Sequence, residues 1–169
     1  MMNLHNLPAV SLSVYAPSVQ ADIYLLEWWR ELVDSGEMET AYGGLGYILT
    51  EFCRLVRTAQ VYYTSDASGR WNRVAWSTQV LGGADFGCWL RQDTRQSKDS
   101  LAFVVAVLRD LYVRVQVVLS LTTDDRVVGD LAGLGFQVLA DAIPGLFEGK
   151  PVALLYMLRD DFLARVNAC

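Results

Sequence analysis

The stretch DRVVGDLAGLGFQVL (residues 125–139), followed by PGLFEGKPVALLYMLR (144–159), indicates a helix that leads into a pair of strands. Asp124 is a typical N-cap, and Gly135 is a typical stop because glycine readily adopts the left-handed conformation that ends helices. Residues 136–141 and 150–161 are rich in strand-forming side chains, and the segment between them, AIPGLFEG (142–149), contains proline and glycine. The end of the chain therefore predicts a helix, a strand, a loop and a second strand.

The segments before this end continue an alternating pattern. Residues 98–112 are apolar nearly all round a helix, which indicates a buried helix. The next segment, VRVQVVLSLT (113–122), is the most strand-like part of the chain. A strand–helix–strand–helix–strand order is typical of a crossover unit and predicts parallel pairing at its first step.

The first half of the chain predicts a different arrangement. Three strand-like segments, 60–65, 72–80 and 84–92, are joined by short turns and predict an antiparallel meander. They follow a short strand (10–16), a helix capped by Ser18 that ends at DSG (34–36), and a second helix with an apolar stripe from Leu45 to Val56. We therefore predict one α/β domain over residues 1–169, with one mixed, mostly antiparallel central sheet and helices on both faces.

The composition argues against several classes of protein. The chain is 53% hydrophobic, yet no apolar run reaches the roughly 18 residues that a membrane helix needs, so we expect no membrane partner. The net charge of −5 argues against bulk binding to a nucleic-acid backbone. The first residues do not resemble a signal peptide, and three widely spaced cysteines and one histidine, His5, make neither a disulfide framework nor a typical zinc site. We expect a cytoplasmic protein with reduced thiols and no metal.

The turn TRQSKDS (94–100) lies where a predicted strand leads into a predicted helix. A helix N-terminus offers free amides and the positive end of the helix dipole, so it can hold a phosphate. Lys98 could add direct charge and Ser100 could donate a hydrogen bond, whereas Asp99 could satisfy the same amides. The alternative is an ordinary helix cap, with Ser97 as the capping residue and Asp99 favouring the dipole.

The element order from about residue 10 to 160 resembles the Gcn5-related N-acetyltransferases, the GNAT superfamily. The most specific local match is LGF (134–136) followed by a Gly-Lys turn (149–150) and an apolar strand ending in Met-Leu-Arg (157–159). In that superfamily the fourth strand splays from the fifth and acyl-coenzyme A lies in the gap. The resemblance therefore implies acetyl-coenzyme A or another acyl-coenzyme A as the cosubstrate.

The superfamily holds the pyrophosphate on amides before its third helix, with the motif Arg or Gln, two residues, Gly, one residue, Gly or Ala. Arg95 matches the first position, and Lys98 and Ser100 replace the two glycines. The loss of both glycines limits close backbone approach. The resemblance further implies that fourth-strand amides near residues 89–91 hold the thioester oxygen. The implied cofactor site consists of Trp89, Leu90, Arg91, Arg95, Gln96, Ser97, Lys98, Asp99 and Ser100.

Many members of the superfamily carry a tyrosine on the fourth helix that protonates the leaving thiolate. The matching position is Leu131, which cannot donate a proton, so the resemblance implies another acid: Tyr156 or Cys88. An amine acceptor also needs a base, because an ammonium group has no lone pair. The candidates are Asp85, which begins the fourth strand, and Glu148. The alternatives are that Tyr156 and Cys88 belong to the core and that the carboxylates are simply solvated.

Two divergent branches share features with the chain. The segment VRTAQVYYTSDASGRWNRVAWS (56–77) is similar to the RTX toxin-activating acyltransferases, which take acyl groups from acyl carrier protein and also lack the glycine motif. Their catalytic histidine precedes the second helix, where this chain has none. Phage DNA-modifying members form another branch, which makes a nucleobase amine a conceivable acceptor.

The sequence thus supports three hypotheses about function. The first is an N-acetyltransferase that moves an acyl group from acyl-coenzyme A to an amine on a small molecule, a protein or a nucleobase, by direct attack. The second is a non-catalytic binding or structural module with the same fold, and the third is transfer from acyl carrier protein. The segment YGGLGY (42–47) predicts either a loop lining the acceptor pocket or a helix start, and Trp76 and Trp89 could wall that pocket. The resemblance also implies that a homodimer can form.

Overall fold

The computed structural model describes residue 4 and residues 6–40, 49–147 and 150–167. The predictions made for His5, the segment 42–47, Glu148 and Cys169 lie outside these residues.

Helices and strands follow the predicted order along the described part of the chain, with four additional elements: α2, α6 and one more strand from each of the predicted strands 72–80 and 84–92. The elements are β1 (Ser13–Val14), α1 (Val19–Asp34), α2 (Glu37–Thr40), α3 (Leu49–Thr58), β2 (Gln60–Ser65), β3 (Trp71–Ser77), β4 (Gln79–Val80), β5 (Gly83–Asp85), β6 (Gly87–Leu90), α4 (Lys98–Tyr112), β7 (Val117–Thr122), α5 (Asp125–Leu134), β8 (Gln137–Phe147), β9 (Lys150–Leu158) and α6 (Arg159–Asn167).

The strands form two sheets. A four-stranded sheet has the order β1-β2-β3-β6, and a five-stranded sheet has the order β4-β5-β7-β9-β8. Neighbouring strands are antiparallel except β5 and β7, which pair in parallel with Ala84 opposite Val118 and Asp85 opposite Leu119. The predicted fold class is confirmed, as are the antiparallel meander and the parallel first step of the crossover. The single domain over 1–169 stays a prediction.

The prediction of one continuous sheet is wrong. The predicted strand 84–92 breaks at Phe86 into β5 and β6, which belong to different sheets. The predicted strand 72–80 likewise divides into β3 and β4. The predicted strand 113–122 begins only at Val117, because the amides of Val113 and Arg114 still donate to carbonyls of the last turn of α4.

Both ends of the chain also differ from the prediction. The predicted strand 10–16 is reduced to β1, and β8 continues to Phe147 through most of the predicted loop. Register shifts against β9 accommodate the extra residues of β8, as β-bulges do. The predicted last strand ends at Leu158, and the unpredicted α6 follows it, with two aspartates in its first turn and Phe162 buried against Tyr112.

Hydrophobic cores cover both faces of the four-stranded sheet, and the first of these cores also covers one face of the five-stranded sheet. Along β3, Ala75 faces a core built with α4, α5 and α6, whereas Val74 faces a core built with α1 and α3. This alternation follows from the two-residue period of a strand, and it confirms that helices cover both faces of the four-stranded sheet. Asp124 caps α5 by accepting from the amide of Arg126 at 2.9 Å, and Gly135 ends α5 with a φ of 114°, as predicted.

Candidate functional site

A gap opens between β6 and β7 just after Phe86. Up to that point β5 and β7 pair in parallel, and the Phe86 amide donates to the Leu119 carbonyl at 2.7 Å. The Ser120 hydroxyl donates to the Phe86 carbonyl at 3.0 Å and so occupies the next position of the ladder. Within the described part of the chain, β6 pairs from Gly87 onward with β3 alone. The two strands therefore diverge, and this is the splay that the resemblance implies.

The edge of β6 that faces the gap carries backbone groups that β3 does not use. The Arg91 amide donates to the Asn72 carbonyl at 3.0 Å, and alternation along an antiparallel pair then directs the amide and carbonyl of Trp89 toward β3 as well. The amides and carbonyls of Cys88 and Leu90 point the other way, into the gap. Among residues 89–91, the Leu90 amide is therefore the one aimed where the predicted thioester oxygen would lie.

The first turn of α4 lies at the mouth of this gap. Ser97 caps the helix, and its hydroxyl accepts from the Ser100 amide at 3.1 Å. The Ser100 side chain is 1% exposed and donates to the Thr94 carbonyl at 2.6 Å, so it is fixed within the turn. Gln96, Lys98 and Asp99 are exposed. The helix cap considered as the alternative is therefore present, and the amides of Lys98 and Asp99 are the free donors among the described residues of this turn.

Arg95 is partly buried and has partners on two other elements. Its Nε donates to the Leu90 carbonyl at 2.8 Å, and its guanidinium forms an ion pair with Glu37 of α2. The other oxygen of Glu37 accepts from the indole of Trp89 at 2.7 Å. Arg95 thus joins the turn before α4, the edge of β6 and the segment after α1. The sequence carried no signal for Glu37, because its partners lie 52 and more residues away.

Arg91 is neutralised by two carboxylates. It pairs with Asp66, in the turn between β2 and β3, at 2.9 Å and with Asp93 at 3.0 Å. Asp66 also accepts from the hydroxyl and the amide of Ser68 at 2.6 and 2.9 Å. These hydrogen bonds, from Ser68 first and then from Arg91, hold the pKa of Asp66 well below its usual range. The network ties the β2–β3 turn to the end of β6.

We expect this network to weaken in acid. Because the pKa of Asp66 is lower in the folded than in the unfolded chain, its stabilising effect is present above the unfolded pKa and is lost as the pH falls toward the folded one. Urea unfolding measured from about pH 5 down to about pH 2 should show a falling midpoint, and Asp66→Asn should make that fall shallower. The exposed Asp99, replaced by asparagine, serves as the control. An unchanged slope in Asp66→Asn would contradict this role of Asp66.

Arg73 of β3 is a residue that the sequence reasoning missed. It lies opposite Leu90, and its Nε donates to the buried Ser100 hydroxyl at 2.8 Å, with Ser97 and Thr64 hydroxyls within 3.5 Å. It therefore fixes the first turn of α4 against the four-stranded sheet, from the side away from the gap. The available signal was an arginine within an otherwise buried strand, next to the buried Asn72.

Asp85 and Tyr156 lie on the same face of the five-stranded sheet but not in contact. Asp85 is opposite Leu119, and Leu119 is opposite Tyr156, so two strand spacings of about 5 Å each separate them. Asp85 lies at the start of the gap and accepts a short hydrogen bond from the Thr78 amide. The Tyr156 hydroxyl donates to Gln137 on the outer strand β8 at 2.8 Å, which is the side away from Asp85.

Cys88 lies on the other face, toward the core that contains Leu131. Leu131, which the resemblance places where the superfamily has its tyrosine, is 6% exposed. Burial raises the pKa of the Cys88 thiol to about 12. Since an ordinary thiol has a pKa near 8.5, proton transfer from Cys88 to a departing thiolate is uphill. The catalytic roles of Asp85, Tyr156 and Cys88 stay predictions.

Aromatic rings line the face of the sheet opposite α4, next to the gap. Trp28 of α1 lies 6.0 Å from Trp76 and 6.1 Å from Trp89, measured between ring centroids. The indole of Trp76 packs directly on the backbone of Gly87, where a side chain would overlap its ring. Of this aromatic wall, Trp28 and Trp89 are buried and Trp76 is partly exposed, so Trp76 is the ring that a ligand could reach. Asp85 lies two residues before Gly87 and therefore on the same face of the strand.

Two further observations concern the described residues alone. No group of three or more histidine, cysteine, aspartate or glutamate side chains is placed to hold a metal ion. Among the described residues, no helix is both long enough and apolar enough to cross a membrane.

Comparison with known proteins identifies similar structures at low sequence identity. No protein-family model and no curated protein matches the sequence. A spermidine N-acetyltransferase from Vibrio cholerae, solved with CoA and spermine, superposes with a TM-score of 0.70 at 12% identity, over 90% of this chain and 98% of that one. A GCN5-related N-acetyltransferase from Kribbella flavida gives 0.64 at 16% over 87% and 97%, and a putative acetyltransferase from Acinetobacter baylyi gives 0.67 at 13% over 89% and 96%. At these identities the likeness concerns the fold.

Proposed function

Because the chain has the fold of the Gcn5-related N-acetyltransferases, we propose that it transfers an acyl group from acyl-coenzyme A, most simply acetyl-coenzyme A, to an amine. The observation that supports this function best is the divergence of β6 from β7 after Phe86. It leaves the amide and carbonyl of Cys88 and the amide of Leu90 without a strand partner along a gap that leads to the first turn of α4, while the Leu90 carbonyl accepts from Arg95. An extended, amide-bearing ligand can pair with such a strand edge.

The residues of this gap fit the pantetheine arm and one phosphate of coenzyme A better than they fit its other phosphates. The edge of Cys88 and Leu90 would hold the amide-bearing arm, and Lys98 with the free amides of α4 would hold a phosphate. Gln96 and Asp99 are exposed at the same turn, whereas Ser97 and Ser100 shape it through their hydroxyls. The residues that fit poorly are Arg91 and Arg95, because carboxylates already neutralise them.

Asp85 is the group we assign to deprotonating the acceptor amine. It lies at the start of the gap, on the aromatic face, and one of its oxygens is held by the Thr78 amide while the other is available. The amine nitrogen forms a bond to the acyl carbon, and the bond from that carbon to sulfur breaks with its electron pair going to sulfur. The proton lost by the nitrogen is balanced by the one that the thiol gains. Tyr156 and Cys88 remain the proposed acids, and the thiol pKa of Cys88 makes it the weaker candidate.

The acceptor is an amine whose body packs against an aromatic ring. Trp76 is the partly exposed ring of the aromatic wall and supplies that surface, with Trp28 and Trp89 buried behind it. The carboxylate of Asp85 favours a cationic group on the acceptor. The similar Vibrio cholerae structure holds spermine, which is an amine of this kind. An amine on a small molecule is accordingly the first class to try, before proteins and nucleobases. A homodimer and a cytoplasmic location stay predictions.

The test is a thiol-release assay with acetyl-coenzyme A and a panel of polyamines, aromatic amines, peptides and nucleosides. We expect amine-dependent release of thiol. Asp85→Asn should lower its rate roughly 100-fold or more at neutral pH without weakening acetyl-coenzyme A binding, because general bases typically contribute that much. Asp130→Asn, an exposed carboxylate on α5, is the matched control and should leave the rate unchanged.

The same assay separates the alternatives. Saturable binding of acetyl-coenzyme A without thiol release for any amine would favour the non-catalytic module, for which the buried Leu131 is the specific observation. Absence of binding in calorimetric titration, even at millimolar ligand, would overturn the proposed function.

A further inference from the structure

Resting on the proposed function, we infer that the donor is recognised through its phosphopantetheine arm, and that the adenosine diphosphate of coenzyme A contributes little. The donor class is then any phosphopantetheine thioester, whether it is part of coenzyme A or attached to a carrier protein. The inference follows from the partners of each cation around the gap and from the free edge of β6.

Three of the arginines near the mouth of the gap are already neutralised. Arg91 has Asp66 and Asp93, and Arg95 has Glu37. Arg126, at the start of α5 on the β7 side, is within 3.4 Å of Asp124. The carboxylate beside each of these arginines would repel a phosphate placed on it, so each attracts a phosphate less than an unpaired cation does.

The fourth arginine, Arg73, is directed away from the gap. It lies behind the first turn of α4, and its nitrogens contact the hydroxyls of Ser100, Thr64 and Ser97. Among the described side chains at the mouth, Lys98 is then the exposed cation without a carboxylate partner. One lysine and two free helix amides match one phosphate, which is what the phosphopantetheine arm carries. Coenzyme A carries two more phosphates, the adenosine 5′-phosphate that completes its pyrophosphate and the 3′-phosphate, and nothing described at this turn balances that extra charge.

The arm itself matches the strand edge. Pantetheine contains two amide groups in an extended chain, and the edge offers the alternating donors and acceptors of Cys88 and Leu90. The Leu90 carbonyl is occupied by Arg95 at 2.8 Å in the structure. Arg95 therefore competes with the arm for this carbonyl instead of holding a phosphate, so its removal should not weaken donor binding.

Calorimetric titration with four probes tests the inference: coenzyme A, 3′-dephospho-coenzyme A, 4′-phosphopantetheine and pantetheine. We expect the first three to bind within about threefold of each other and pantetheine to bind about tenfold more weakly, as loss of one charge-assisted phosphate contact implies. Lys98→Ala should bring the first three to the level of pantetheine and leave pantetheine unchanged. Lys98→Arg should retain binding, and Arg109→Ala, at the other end of α4, is the surface-cation control.

The outcomes are distinct. If removal of the adenosine part weakens binding by more than about 30-fold, or if Arg95→Ala weakens coenzyme A binding tenfold, the inference is overturned while acyl transfer from coenzyme A stands. If none of the four probes binds, the proposed function itself fails. A carrier protein in its phosphopantetheinylated and unmodified forms separates the two sources. Binding of the modified form alone supports the shared arm, and equal binding of both forms contradicts it.

Discussion

Gly87→Ala is expected to abolish measurable binding of acetyl-coenzyme A and to lower the free energy of unfolding by about 1–3 kcal/mol, the usual effect of overpacking a core. A Cβ on Gly87 would overlap Cε2, Cζ2 and Nε1 of the Trp76 indole. The ring is held between Trp28 and the sheet, so relief must come from movement of β6. Gly87 begins the strand whose edge faces the gap, and its displacement would misplace Cys88 and Leu90 together.

Calorimetric titration and urea unfolding measure the two effects separately. Gly129→Ala is the matched control: a Cβ there meets no atom within 4 Å, and alanine in a helix is more favourable than glycine by about 0.5–1 kcal/mol. The control should therefore bind normally and unfold at a slightly higher urea concentration. Normal binding by Gly87→Ala would show that the position of the β6 edge does not control the donor site.

Trp28→Ala should lower the free energy of unfolding by about 3–5 kcal/mol, which is the usual range for removing a buried aromatic side chain. Trp28 is 4% exposed and its ring contacts those of Phe52, Trp71, Trp76 and Trp89 at centroid distances of 5.2 to 6.1 Å. It joins α1 and α3 to the four-stranded sheet, so its loss should loosen the aromatic wall as a whole. The decrease is measured as a shift of the urea midpoint at a constant slope.

Two tryptophan-to-phenylalanine variants separate the effect of the Trp89–Glu37 hydrogen bond from the effect of ring packing. The indole nitrogen of Trp28 has no hydrogen-bond partner among the described residues, whereas that of Trp89 donates to Glu37 at 2.7 Å. Trp28→Phe and Trp89→Phe remove a similar volume, but the second leaves a carboxylate oxygen without its donor. Trp89→Phe should therefore be the more destabilising by about 1–3 kcal/mol. Equal effects would mean that the Glu37 contact contributes no stability.

The parts of the fold that short-range chemistry determines could be predicted from the sequence. The caps at Asp124 and Gly135 and the bounds of α4 depend on neighbouring residues, and they are confirmed. The break at Phe86 could not be predicted, because the apolar alternation continues through residues 84–90 and the break depends on Leu119 and Ser120. The start of α6 was missed for a similar reason, since no turn residue separates Leu158 from Arg159.

For the candidate site, the sequence indicated which segment would lie near the gap, but it did not indicate which side chains of that segment would be paired with distant residues. Residues 89–100 run from the edge of β6 to the first turn of α4 at the mouth of the gap, and their role in donor binding stays a prediction. However, the partner of Arg95 is Glu37 and that of Ser100 is Arg73, and both contacts join residues far apart in the chain. No local pattern distinguishes an arginine that is free to bind a ligand from one that is paired with a distant carboxylate.

The backbone hydrogen bond between Phe86 and Leu119 closes one end of the gap, so the gap is a wedge with a fixed apex at Phe86. Among the described residues, the backbone contact between β7 and the strand facing it ends there, so any rocking of one sheet against the other pivots near Phe86. Leu90 lies four residues from that pivot, about 13 Å along an extended strand, so a rotation of about 5° moves it by about 1 Å. Cys88 moves half as far. The mouth of the gap can therefore widen to admit a phosphopantetheine arm whether it is attached to adenosine or to a carrier protein. The end near Asp85, where the acyl carbon must meet the amine, stays rigid.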